Sequence, residues 1–213
     1  MRLLKIISVL IVASCQAYNA SAAPPEQKAD DAHCKALLAR QMPIDKFWSL
    51  VEKTIDKDDY EQQLALEAAL RPLSADEVLS FDITFRAQHI RSRTWDLWGV
   101  AYIANGGASD DGFEYFRYWL MSRGRKVFEQ VLAAPDSLAD VVPADRTSVL
   151  ENEPFAAASM RVWMHKTGKS FEDYYVYVAD CQSYPEQPSG TKPKSLEKSF
   201  PKTWKRFGNN PLS

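Results

Sequence analysis

The sequence predicts an all-α fold: a single compact, bundle-like domain of several helices with little or no β structure. Three observations carry this. Apolar residues recur three and four positions apart through successive segments. Capping residues open these segments, and Pro or Gly closes them. No hairpin signal and no internal repeat is present.

The elements follow in order. Asp45 stands where a helix N-cap belongs, ahead of Phe47, Trp48, Leu50, Val51 and Ile55 on one face. Asp58 caps the next helix, which carries Tyr60, Leu64, Leu66 and Leu70 and stops at Pro72. Ser74-Ala75-Asp76-Glu77 is a capping box opening a helix through Val78, Phe81, Phe85 and Ile90. Two aromatic-rich helices come next, over 94–105 and 109–123, separated by Asn105-Gly106-Gly107. Gly124 turns the chain into Val127, Phe128, Val131 and Leu132, which Pro135 ends. Glu153 to Lys166 reads as one helix bearing Phe155, Met160, Val162 and Trp163, with Gly168 as its C-cap. Residues 182–199, rich in Pro, Ser, Lys and Gly, read as a flexible connection. Phe200, Trp204 and Phe207 then recur at helical spacing, which favours a terminal element docked on the core over a free basic tail.

The N-terminus reads as an export address. Met1-Arg2 and Lys5 precede a short apolar run from Ile6 to Ala13, well below the roughly 20 residues that span a bilayer. Ala20-Ser21-Ala22 fits a signal cleavage site, while Val12-Ala13-Ser14-Cys15 resembles a lipobox in which Cys15 is acylated. Both lead to the periplasm or beyond, and membrane contact then comes only through a lipid on Cys15. The organisation expected is a signal over 1–22 (or 1–14), a polar leader over 23–40, a helical domain over 41–207 and a tail over 208–213. With Cys15 removed or lipidated, Cys34 and Cys181 remain, either as a disulfide in an oxidising compartment or as two thiols.

Charge is mild. There are 28 acidic and 26 basic residues, and losing Arg2 and Lys5 moves the net charge from −2 to −4. That disfavours nucleic acid as a partner. With 46% hydrophobic residues the chain can build a real core. A monomer is expected.

Trp95-Asp96-Leu97-Trp98, Asn105-Gly106-Gly107-Ala108-Ser109-Asp110-Asp111-Gly112-Phe113 and Phe116-Arg117-Tyr118-Trp119-Leu120 together resemble the core motif of a bacterial family, domain of unknown function 4240. The segments at Phe47-Trp48, Glu153 to Gly168 and Phe200 to Phe207 are similar to that family too, so the resemblance spans roughly 45–207. It implies no activity, ligand or catalytic residue.

The central motif supplies the candidate site residues. Asp96 lies in a helix apolar nearly all round, so burial is expected, with Arg117 on the next helix as its partner. The pair either fixes helix packing or lines a polar pocket. Ser109 as N-cap with Asp110 and Asp111 in the first turn suits free amides and the helix dipole. Asp110 and Glu114 lie four apart, a weak metal signal, because a hard cation wants more oxygens. Asn105-Gly106-Gly107 reads as a turn with positive φ. Of the histidines, His33 falls in the leader and His165 near a helix end, while His89 lies close enough in sequence to Asp96 to suggest a dyad. No nucleophile elbow, zinc-protease helix, phosphate loop or dinucleotide fingerprint occurs, and no cofactor is implied.

Two readings of function follow. In the first, the chain is an exported module that binds a protein or small ligand around the Gly106-Gly107 turn, with Asp96, Asn105, Ser109, Asp110, Asp111, Glu114 and Arg117 as contact candidates. In the second, it is a hydrolase in which Asp96, Asp110, Asp111, Glu114 and His89 serve as acid, base or metal ligands.

Overall fold

Helix caps written in the sequence set most of the element boundaries. In the computed structural model the described residues are 35, 36, 39–55, 57–178 and 188–213, with the side chains of 175–178 excepted. The signal segment, Cys15, His33, Cys34 and Cys181 lie outside the described residues, and with them the lipidation and disulfide expectations.

The chain forms α1 (Ile44–Glu52), α2 (Asp59–Leu70), α3 (Ala75–Arg91), α4 (Trp95–Ala104), α5 (Asp110–Ser122) and α6 (Gly124–Ala133). A short 3-10 turn at Pro135–Ser137 leads into α7 (Leu138–Val141). After a loop come α8 (Glu153–Ala156), α9 (Ala158–Thr167) and α10 (Phe171–Val178), and then α11 (Leu196–Ser199) and α12 (Pro201–Phe207). Among the described residues the β structure is one isolated parallel bridge between Thr94 and Ser189. No helix among them is long and apolar enough to cross a membrane.

The capping expectations hold at three starts, and Thr94 adds a fourth cap. Asp58 accepts from the Glu61 amide, Thr94 from Leu97 and Ser109 from Gly112, and Ser74 and Glu77 close both halves of their box. Gly168 closes α9 with φ 66°. Asp45 does not cap. Pro43, already extended at ψ 131°, starts α1 two residues earlier, which leaves Asp45 exposed in the first turn beside Arg125 at 2.7 Å. Ile55 misses the apolar face because Thr54 ends the helix by bonding the Val51 carbonyl through both its amide and its hydroxyl. On α2 the inward stripe includes Gln62 and Leu66, while Tyr60 and Leu64 face solvent.

The helix expected from Glu153 to Lys166 is two. Pro154 has no amide to donate, and the Ala157 amide reaches back only three residues to its carbonyl at 3.2 Å, tightening the chain into a joint. Nor is the described part of 182–199 a free connection. Ser189 exchanges backbone bonds with Arg93 and Trp95 at 2.9 and 3.0 Å, Pro188 is buried, and α11 contacts α4.

α9 packs across α2 and α3, α5 against α6 and α8, and α12 against α4. Buried aromatic residues from α1, α3, α5 and α6 fill the centre: Phe47, Trp48, Phe81, Phe116, Trp119 and Phe128. Burying one such side chain stabilises by about 1.5–3 kcal/mol, so the core is held by rings more than by any single polar contact. Phe200 and Phe207 are buried at the C-terminal edge, as their spacing predicts.

Candidate functional site

The groove beside the glycine turn begins with the local physics of α4. Leu97, Val100, Ala101 and Ala104 point inward and are fully buried. The side left over carries Trp95, Trp98, Gly99 and Tyr102, spaced three and four apart. Tyr102 is 50% exposed. Past Asn105, Gly106 takes φ 67° and Gly107 φ 150°, conformations that favour glycine, and the Gly107 amide returns to the Tyr102 carbonyl at 2.9 Å. The turn thereby sets Ala108 beside α4, where its carbonyl accepts from the Trp98 indole at 3.0 Å. Opposite lies the C-terminal strap, with Lys192, Pro193 and Leu196. The groove measures about 500 Å³.

From this groove a column of nearly parallel rings runs into the core. The Lys192 ammonium sits 5.2 Å from the centre of the Trp95 ring. Trp95 and Trp98 are 5.4 Å apart and 14° from parallel, Trp98 and Phe113 are 4.9 Å and 11°. Phe113, Phe116 and Trp119 continue it at 6.4 and 6.0 Å, and the Arg123 guanidinium lies 5.4 Å from the Trp119 ring. Offset stacking at these distances adds about 0.5–1.5 kcal/mol per pair beyond burial.

The Asp96–Arg117 pair expected at this place is not formed: Asp96 is exposed in the first turn of α4, because the inward phase of the helix is taken by Leu97 and Val100. Arg117 is buried, 1% exposed. Its Nη1 donates to the His89 carbonyl at 2.8 Å, its Nε donates to the Phe113 carbonyl at 3.3 Å, and its guanidinium lies 4.8 Å from the Phe113 ring. Carbonyl dipoles and a π face thus solvate this cation.

The other candidates fall in two places. Asn105 accepts the Leu150 amide at 2.9 Å, which ties the turn to the loop before α8. Ser109 caps α5, and Asp110 and Asp111 are exposed in its first turn, positions the helix dipole favours without a ligand. Asp111 and Glu114 line a second cleft of about 320 Å³ with Tyr115, Tyr118 and Glu153. Tyr118 donates a short hydrogen bond to Glu114 and stacks on the His89 ring at 4.3 Å. Tyr118 and Ala156 also border a small cavity of about 40 Å³ that reaches Asp82, Arg86 and His89. Burial first, and the Arg117 cation second, hold the His89 imidazole well below the usual histidine range, against a hydrogen bond that the ring donates to the Glu114 backbone carbonyl, which works the other way. His89 is therefore neutral near pH 7. His165 is exposed in the last turn of α9. Among the described residues no group of three or more His, Cys, Asp or Glu side chains is arranged to hold a metal ion.

Two polar networks escaped the sequence reading. Asp82, 2% exposed, accepts from Arg86 and from the Ser159 hydroxyl, both at 2.7 Å, and Ser159 also meets the Tyr174 hydroxyl at 3.3 Å. Burial pushes the Tyr174 phenol well above its usual range. Gln62 donates to the carbonyls of Thr54 and Ser122 at 3.1 and 3.0 Å and accepts from Asn152 at 3.2 Å. A capping box at Ser170 and Asp173 signalled α10, and with it Tyr174. Nothing in the local pattern marks Gln62, and for Asp82 the local partner Arg86, four residues on, gives no sign of the distant Ser159.

No curated protein and no solved structure matches the chain. A family model does match, over residues 42–179, and it takes in α1 to α10, the ring column, the glycine turn and the groove face of α4, but not the strap. That match covers more than half of the sequence, and the chain belongs to the family described as "Protein of unknown function (DUF4240)".

Proposed function

We propose that this chain is an exported binding module, and that it holds a small ligand with an apolar body in the groove between α4 and the strap. One observation carries the reading. Trp95, Trp98 and the half-exposed Tyr102 stand together as one wall of an open groove of about 500 Å³. Ligand sites commonly measure about 300–1,000 Å³, are mostly apolar and have a few placed polar groups. An aromatic face left open at a groove, instead of packed into the core, is the kind of surface that marks interaction. Export rests on the leader and cleavage pattern of residues 1–22.

The test is a fluorescence titration of the purified chain with 1-anilinonaphthalene-8-sulfonate. Saturable binding at one site is expected, weakened at least tenfold by Tyr102→Glu while the melting temperature stays within a few degrees. Absence of saturable binding, or binding indifferent to Tyr102→Glu, contradicts the reading. Export is checked by fractionation of expressing bacteria, with the chain expected outside the cytoplasm and its new N-terminus at Ala23 or an acylated Cys15.

A further inference from the structure

We infer that the ligand is an apolar molecule carrying a single carboxylate, with its apolar body along the groove wall of Trp98, Gly99 and Tyr102 and its carboxylate on Lys192. This rests on the groove being the binding site, and it names the class of ligand. The lining supplies the first half of the argument. Trp98 is stacked between Trp95 and Phe113, so the column is a fixed wall whose faces are already taken. With Gly99, Ala108, Pro193 and Leu196 it makes an apolar lining, which rewards an apolar body.

Charge supplies the second half. Of the described residues lining the groove, only Lys192 is charged, and it forms no ion pair among those residues. Its exposed ammonium sits over the Trp95 ring at the edge of an apolar wall. A single anionic group meets it there. A second charge on the ligand would face indole and leucine with no counterion, and a cationic ligand would be repelled. A neutral ligand forgoes the attraction.

Lys192 also lies outside the stretch that matches the family, whereas the ring wall lies inside it. The ring wall therefore belongs to the family-matched stretch, while the strap supplies the charge selectivity. Gly99 explains how the strap sits so close: a Cβ there would come within 2.5 Å of the Phe200 ring and 3.1 Å of Leu196.

The experiment is isothermal titration of the full chain with four probes: 2-naphthoate, 2-naphthalenemethanol, decanoate and decanol. Each acid is expected to bind about fivefold tighter than its alcohol, the margin of an exposed ion pair. High salt shrinks that margin, as expected for an exposed pair. Lys192→Met, which keeps the length of the side chain, removes the acid-over-alcohol margin but not binding itself, and Lys192→Arg keeps it. Equal binding of acid and alcohol overturns the charge assignment while leaving the groove as a site. Failure of all four probes to bind overturns both this inference and the groove as the binding site.

Discussion

Midway along the ring column a guanidinium lies on Phe113, and at the outer end an ammonium lies on Trp95. The two contacts share a geometry and differ in what surrounds them. Arg117 is buried and has carbonyl acceptors from both α3 and α5 within bonding distance. Its charge is absorbed by the fold. Lys192 is exposed and has no ion pair among the described residues. Its charge faces an open groove. A cation on a ring is a packing device where the protein completes its coordination, and a recognition device where that completion is left to something else.

Arg117→Met should have the largest effect. It removes charge-assisted hydrogen bonds to the carbonyls of Phe113 and of His89, which keeps the Ser92 hydroxyl at 2.8 Å; bonds from a charged donor are worth about 1.5–3 kcal/mol. A loss of about 3 kcal/mol is expected in urea melts, against less than about 0.5 kcal/mol for Lys192→Met at the exposed end. Equal losses at the two sites would erase the distinction. Next comes Gly99→Ala, where the Cβ meets Phe200 at 2.5 Å. Overpacking of this kind costs about 1–3 kcal/mol, and faster amide exchange across 188–199 should accompany it as the strap is pushed away.

The His89 ring, on the same buried side as Arg117, gives an acid limb. In the unfolded chain it takes up a proton near pH 6.5, whereas in the fold its pKa is held well below that. Stability is therefore full above about pH 6.5 and falls as pH drops from there toward the folded value, by at most about 1.4 kcal/mol per pH unit. Denaturant titrations at about pH 7 and about pH 5 should show this slope in the wild type and a flatter one in His89→Phe. Smallest of all, Ser109→Ala should cost about 1 kcal/mol and Asp110→Asn with Asp111→Asn a few tenths. Ligand affinity should be unchanged in these variants, because the cap and first turn serve the helix.

The sequence made the helices legible wherever the signal is local. Asp58, Ser74, Ser109 and Gly168 mark their ends by chemistry acting within four residues. The glycine turn was legible for the same reason. Where the signal depends on distant partners it was not. Asp96 looked buried because its neighbours are apolar, yet the phase that turned Leu97 and Val100 inward left it in water. Arg117 looked like the partner of a carboxylate, but backbone carbonyls and a ring can solvate a cation, and sequence does not report them. The groove needed both halves: the stripe of Trp95, Trp98 and Tyr102 is visible in α4, whereas its opposing edge arrives from about ninety residues on, in a stretch whose composition reads as a linker.

The six tryptophans allow the outer end of the column to be watched directly. In a proton–nitrogen correlation spectrum of the labelled full chain, added 2-naphthoate should shift the indole N–H signals of Trp95 and Trp98. Those of the buried Trp48 and Trp119 should stay in place. Still signals from Trp95 and Trp98, or shifts spread evenly over all six, would show that the exposed rings are packing surface like the buried ones.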